Sequence, residues 1–492
     1  MIKLGSFREL KHYSCYDITS ILNISIDLGK EIISHLKRRN IIKVKNDSAD
    51  ENSEHLQLEE LAIGDLDISD SAPRYVFDYV GIIEFTIDKT NFIITCYPKY
   101  IKCKEEEFSL NDIRPFLQAI ELYNKSQPSS ILVSTESDDR IQYNPLAIVI
   151  FLLRDYWEHG IYTNSKDDLE KNGIGEIEWE NTINQNIPFF KDGRPYYIDY
   201  YTSLSTVDES SFITELHKIL LTKYSRHLKK TQLDKLFDIE TVELCDEELS
   251  NLGNQDYIEQ RLLNEINVQF VTHKQIILRA MYALIRKTSK ATESSNISLF
   301  GTNSFYQVWE KAIIEVFTSQ REEQVKKLPI PLCDKYKNET KTLLELIPLP
   351  KWKNYDSDKV STANKTLIPD YLSVCKLNEK LSFIIMDAKY YDISLYPKLS
   401  GQPGVGDINK QYLYQLAYQD FIVSNNLTPL NMFLCPSEKD ESKVIGEVEM
   451  PIFSSLNLEN IKVVSLSAKK LINAYISNTK IKVENEITNW LE

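Results

Sequence analysis

Between Leu367 and Tyr391 two apolar runs flank a short polar turn, LIPDYLSVCKLNEKLSFIIMDAKYY. The runs predict two strands, and Asn378-Glu379, the most turn-like pair between them, predicts an antiparallel hairpin. If the ladder centres there, paired residue numbers share one sum and Asp370 falls opposite Asp387, with Cβ atoms about 5 Å apart. Lys389 lies two residues beyond Asp387, so the period-2 alternation of a strand puts it on the same face.

Elsewhere the pattern alternates between helix and strand periods. Asp17 is a candidate cap for a short helix, Ile18 to Leu22, and Asp27 for a second helix ending near Arg39 with Leu28, Ile32, Ile33 and Leu36 as its stripe. Ile41 to Val44 then reads as a strand. This order suggests a winged-helix-like unit over 1–45 that docks either DNA or protein. Tyr75 to Thr86 and Phe92 to Tyr97 predict a hairpin around Asp88-Lys89-Thr90-Asn91. Helices are expected over Ser109–Asn124, Pro145–Trp157 and much of 211–285. The alternation of Glu176, Glu178 and Glu180 around Ile177 and Trp179 reads as a solvent-facing strand edge, with a metal site as the other use. Asn303 to Ser319 predicts a helix with a Ser304/Gln307 capping box. Its stripe is Phe305, Val308, Trp309, Ala312, Ile313, Val316 and Phe317, with Glu310 at the edge, placed either to reach a metal or to face solvent. After the loop Gly401 to Gly406, Asp407 is a candidate cap for a helix bearing Lys410, Gln411, Tyr414, Gln415 and Tyr418 on one side. Two last strands are expected near Asn431–Cys435 and Lys462–Leu466, then a helix from Ala468 to Ile476.

The resulting class is α+β multidomain: 1–45, the winged-helix-like unit; 46–73, an acidic loop or linker; 74–107, a β-hairpin region; 108–295, a mostly helical scaffold and partner-docking region; and 296–492, an α/β domain. At 492 residues the chain has room for several domains. No apolar run is long enough to span a bilayer and no signal peptide is apparent, so a cytoplasmic location without membrane attachment is expected. The seven cysteines are scattered without a C-x-x-C, and neither they nor the seven histidines show zinc-ligand spacing, so no structural zinc is expected. Net charge is −15, and 46–73 holds nine acidic residues with no Lys or Arg. Such a chain is ill-suited to strong non-specific DNA binding by itself. The basic run Lys218 to Lys235 is either a backbone contact or a solvated helix face. No G-x-x-x-x-G-K-[ST] occurs, so no NTP site is expected in this chain.

Two close carboxylates repel unless a cation sits between them. Oxygen ligands suit Mg²⁺, with Mn²⁺ as a substitute. A lysine beside them can orient a metal-bound water, and the set suits in-line phosphodiester hydrolysis. The plainer use of the same residues is a salt bridge between Lys389 and one aspartate.

Glu310 on its helix, Pro369-Asp370, Asp387-Ala388-Lys389 and the Gln/Tyr helix together resemble the PD-(D/E)XK nuclease superfamily. More narrowly, FDYVGIIEF, CYPKY, GIGEIEWENTI, FYQVWEKAI, IPDYL, MDAKYY and KQYLYQLAY resemble the LlaJI-type restriction endonuclease family and its relative McrC, the nuclease subunit of the McrBC system. The resemblance is most specific from Phe305 to Tyr418. It implies that 296–492 is a PD-(D/E)XK nuclease domain, that Asp370, Asp387 and Glu310 hold metal, that Lys389 positions water, and that Gln411 or Gln415 takes the helix-borne glutamine role. It also implies a Mg²⁺-dependent endonuclease acting on double-stranded DNA with a separate McrB-like AAA+ GTPase hexamer. Cutting both strands requires either self-association or two successive cuts. Two alternatives stay open: a self-sufficient site-specific restriction endonuclease, and a non-catalytic adaptor or activator of the AAA+ ring.

Overall fold

The hairpin centred on Asn378-Glu379 forms in the register expected, Tyr371↔Met386 through Leu377↔Lys380. Both turn residues have positive φ, 43° and 67°. That is the type I′ geometry whose twist matches the flanking strands. The computed structural model describes residues 2–45, 74–87, 90–104, 108–109, 111–125, 145–208, 211–289, 298–355 and 359–491. The acidic segment 46–73, turn residues Asp88 and Lys89, and 290–296 of the region around the expected 296 boundary lie outside them. By contacts the chain divides into one unit of 1–128 with 300–492 and another of 129–299. Segments 1–45, 74–107 and nearly all of 296–492, separate by sequence pattern, therefore share a unit.

In the first unit the hairpin edges a five-stranded sheet, in the order Tyr371–Leu377, Lys380–Ala388, Thr428–Ser437, Ile461–Ser467 and Lys443–Val448. The three central strands are parallel, and the last is an antiparallel edge. A parallel pair needs a crossover, and helix Val405–Ala417 lies in the first one. Leu372, Val374, Phe383 and Ile385 bury one face of the hairpin against Tyr414, Tyr418 and Phe421. Helix Phe305–Phe317 buries all seven residues of its expected stripe. The capping box does not form. The Ser304 side chain caps nothing, and Gln307 Oε1 accepts instead from the Tyr123 hydroxyl at 3.0 Å.

A second sheet runs Ile2–Arg8, Thr90–Tyr97, Val80–Ile87 and Ser298–Thr302. The apolar run Tyr75–Thr86 is not one strand. It breaks at Asp78-Tyr79, where the Asp78 amide donates to Ile41 O and its carboxylate pairs with Lys43. Arg74–Phe77 joins a separate three-stranded sheet with His12–Tyr13 and Ile42–Lys45, beside helices Cys15–Leu22 and Ile26–Arg38. These helices are capped by Ser14 and Ser25 rather than Asp17 and Asp27. Asp17 is the third helical residue and returns a bond to the Ser14 amide, completing a capping box.

The second unit holds helices Pro145–His159, Phe212–Thr231, Gln255–Val268 and Thr272–Ser289. It is less purely helical than its composition suggests. Asn164–Lys171, Tyr201–Asp208 and Glu176–Ile177 form a three-stranded sheet, and Phe189–Lys191 pairs with Arg194–Tyr196. The expected strand through Glu176 to Glu180 ends at Ile177. Glu178 caps helix Trp179–Gln185, accepting from the Asn181 amide at 2.9 Å. Among the described residues no helix is long and apolar enough to cross a membrane.

Candidate active site

Strand ends deliver the acidic groups. Asp370 immediately precedes strand Tyr371–Leu377 and continues the hairpin register to Asp387, the next-to-last residue of Lys380–Ala388. Asp370 Oδ2 accepts from the Ala388 amide at 2.8 Å. Asp387 is 2% exposed, and its Oδ1 meets no hydrogen-bond donor among the described residues. Glu310 approaches from helix Phe305–Phe317. Burial first, then the charge of Asp387, raises its carboxyl above the ordinary range. Burial, Asp387 and Glu310 together push Asp370 up to about 8. Asp370 and Glu310, both raised and both facing the buried Asp387, make a site that a dication would relieve. The orphaned buried oxygen of Asp387 and the all-oxygen donor set of Asp370, Asp387 and Glu310 fit Mg²⁺ or Mn²⁺.

Lys389 follows the strand, its amide still donating to Leu434 O at 3.0 Å. Its ammonium lies 2.7 Å from Asp387 Oδ2 and 2.7 Å from Asp407 Oδ1. Burial opposes the charged form, but Asp387 and Asp407 outweigh it and hold the ammonium above the usual lysine range. Asp407 is a residue that pattern reading assigned to helix capping. The cap position belongs to Gly404, and Asp407 sits in the first turn of Val405–Ala417, bonded to Lys389 and, at 3.1 Å, to the Tyr391 hydroxyl. The only sequence signal for it was an acid in that first turn.

The same helix supplies Gln411 and Gln415, both fully buried. Gln411 Nε2 donates to Asn431 Oδ1 at 2.6 Å, and Asn431 Nδ2 donates to Gln415 Oε1 at 3.3 Å. Asn431 on strand Thr428–Ser437 thus engages both amides, and no bond from either reaches the three carboxyls. Tyr414 and Tyr418 are buried and committed. Their hydroxyls donate to Ile368 O at 2.7 Å and Leu343 O at 2.9 Å. Tyr414 thereby ties down the chain two residues before Asp370. Lys410 stays exposed.

One further acid was invisible in the sequence. Glu9, 5% exposed, accepts from the Tyr390 hydroxyl at 2.5 Å and the Lys99 amide at 3.1 Å. Burial raises its carboxyl. The Lys99 ammonium lies over the Tyr390 and Tyr391 rings at 4.9 and 5.4 Å. The Pro98-Lys99-Tyr100 segment and Glu9 therefore brace the residues that follow Lys389.

The LlaJI restriction endonuclease family model matches residues 79–345 and 332–469 of this chain. The chain belongs to that family, and so to a class of nucleases. One relative is the type II restriction enzyme BsuMI component YdjA of Bacillus subtilis (strain 168). It is 30% identical over 428 residues, 85% of this chain and 84% of the relative. Among solved structures, a refined half-complex from a tetradecameric assembly of Thermococcus gammatolerans McrB AAA+ hexamers with bound McrC aligns over 99% of both chains at 12% identity, with a TM-score of 0.39. The McrBC complex of the same organism aligns over 63% of this chain and 85% of that one, at 13% identity and a TM-score of 0.26. At these scores neither alignment defines a shared fold.

Proposed function

We propose that this chain is a Mg²⁺-dependent DNA endonuclease of the PD-(D/E)XK class that hydrolyses phosphodiester bonds of double-stranded DNA as one component of a restriction system. The observation that carries this reading is the convergence of Asp370, Asp387 and Glu310 beside the buried Lys389 at the end of one sheet. Asp370, Asp387 and Glu310 would hold the metal. When bound, Mg²⁺ supplies charge for the phosphate oxygens and lowers the pKa of a coordinated water. Lys389, kept protonated by its two aspartates, acts as a donor that orients the attacking water and steadies developing negative charge, rather than as the base. Asp407 and Tyr391 fix the position of that ammonium. Gln411 and Gln415, joined through Asn431, set the helix against the strand that neighbours Asp387.

A separate AAA+ GTPase that engages DNA completes the system. Three facts support dependence on another chain: net charge −15, no phosphate-binding loop in the sequence, and a 30% identical relative named as a component of its enzyme. Mn²⁺ titration by calorimetry separates the nuclease from a non-catalytic adaptor. Wild type should bind, and Asp370→Asn and Asp387→Asn should bind far more weakly. A wild type that binds no Mn²⁺ would leave only the adaptor.

A further inference from the structure

The second unit contains a cluster that takes no part in the proposed nuclease chemistry. Asp155 and His159 are one helical turn apart near the end of Pro145–His159, a spacing that puts both on one face. His273 arrives from the first turn of Thr272–Ser289, 118 residues along the chain from Asp155. Asp155 Oδ1 lies 2.6 Å from His273 Nε2 and 3.2 Å from His159 Nδ1, and one ligand atom from each of the three falls within 4.8 Å of the others. The imidazole centroids are 4.3 Å apart.

Two features distinguish the cluster from a surface ion pair. Asp155 is 5% exposed, and its second oxygen, Oδ2, is buried without a hydrogen-bond donor among the described residues. A buried carboxylate left half-satisfied is costly, and a cation is the usual remedy. His159 and His273, in contrast, are about half exposed. One side of the cluster is thus closed by a buried carboxylate, and the other is open to solvent. Neighbouring cations are engaged elsewhere: the Lys274 ammonium donates to Thr163 O at 2.6 Å, and Arg154 Nη2 donates to Phe237 O at 3.1 Å. His159 also sits at a helix C-terminus, the end whose dipole favours positive charge.

We infer that Asp155, His159 and His273 form a three-ligand Zn²⁺ site that clips helix Pro145–His159 to helix Thr272–Ser289 and leaves a coordination position open to water. Two imidazoles and a carboxylate suit zinc or a neighbouring transition metal far better than Mg²⁺. Zinc with bonds of about 2.0–2.2 Å holds its ligand atoms slightly more than 3 Å apart, so the 3.2 Å separation of Asp155 and His159 is near that spacing and the 2.6 Å Asp155–His273 hydrogen bond opens to admit the ion. Sequence spacing showed no such pattern because the third ligand lies on a distant helix.

The test uses the full-length chain, stripped of metal and dialysed against Zn²⁺ with excess Mg²⁺ present. Wild type and Asp387→Ala should retain one more equivalent of zinc than His159→Gln or His273→Gln. Co²⁺ should give a visible absorption band typical of low-coordinate nitrogen ligation in the first pair only. Zn²⁺ should raise the thermal midpoint of wild type but not of the histidine variants. Both histidines are half exposed, so these variants should fold, and Asp155→Asn, which keeps the side-chain shape, gives a second route to the same loss. Equal zinc retention by wild type and both histidine variants would overturn the assignment and leave a hydrogen-bonded His–Asp–His cluster. Loss of the same equivalent in Asp387→Ala would overturn it too, by placing the zinc at the nuclease centre.

Discussion

Lys389 has two carboxylate partners, and they have different roles. Asp387 belongs to the proposed metal set, whereas Asp407 only holds the ammonium in place. Asp407→Asn keeps the side-chain shape and removes the charge. It should slow DNA cleavage about 10–100-fold, the usual effect of losing a supporting partner, while Mn²⁺ affinity measured by calorimetry stays near wild type. Unchanged cleavage would show that Asp407 is incidental. His217 gives a residue-scale prediction for stability. Its Nδ1 accepts the Tyr162 amide at 3.1 Å, so the folded ring is neutral, and burial lowers its pKa to about 4. The unfolded chain therefore binds the extra proton first. Stability is full above the ordinary histidine pKa of 6.5 and falls as pH drops towards about 4, by up to about 3 kcal/mol. Denaturant melts at about pH 7 and about pH 5 should differ less for His217→Gln than for wild type. An equal pH dependence would mean the ring is already protonated in the fold.

At the scale of elements, what could be read from sequence was local. The hairpin register follows from one turn and two alternating runs, and the buried stripe of Phe305–Phe317 from its 3.6-residue period. Features that depend on remote partners were not legible. Strand Ile2–Arg8 pairs in parallel with Thr90–Tyr97, and no local pattern announces such a pairing. Strand Lys443–Val448 is a partly exposed antiparallel edge, and helix Val483–Leu491 buries only Val483, Ile487 and Trp490. Asp407 looked like a cap because its partner Lys389 lies across a crossover. Glu9 carried no signal because its partners Tyr390 and Lys99 come from other segments. The close passage of Val80-Gly81 beside Phe300-Gly301 is a further tertiary constraint. Gly81 has φ 145°, and a Cβ there would meet Phe300 O at 2.2 Å. A Cβ on Gly301 would meet Val80 O at the same distance. Gly81→Ala should destabilise the protein by about 1–3 kcal/mol or more, read as a lower midpoint in denaturant. No loss of stability would mean that the two strands separate at little cost.

For the whole molecule, the proposed hydrolytic centre sits in a chain of net charge −15. On helix Phe212–Thr231, Arg226 pairs with Asp246 and Lys218 with Glu215, as a solvated helix face would. The proposed AAA+ partner should therefore supply most of the affinity for DNA. The central claim is that Asp370, Asp387, Glu310 and Lys389 form the cutting centre. The most direct measurement is plasmid cleavage with Mg²⁺ by wild type and Asp387→Ala, each with the proposed AAA+ partner and GTP, after both proteins are shown to be folded. The account predicts cleavage by wild type and none by Asp387→Ala, whose folding should survive because the change relieves carboxylate repulsion. Cleavage by folded Asp387→Ala at the wild-type rate would contradict it.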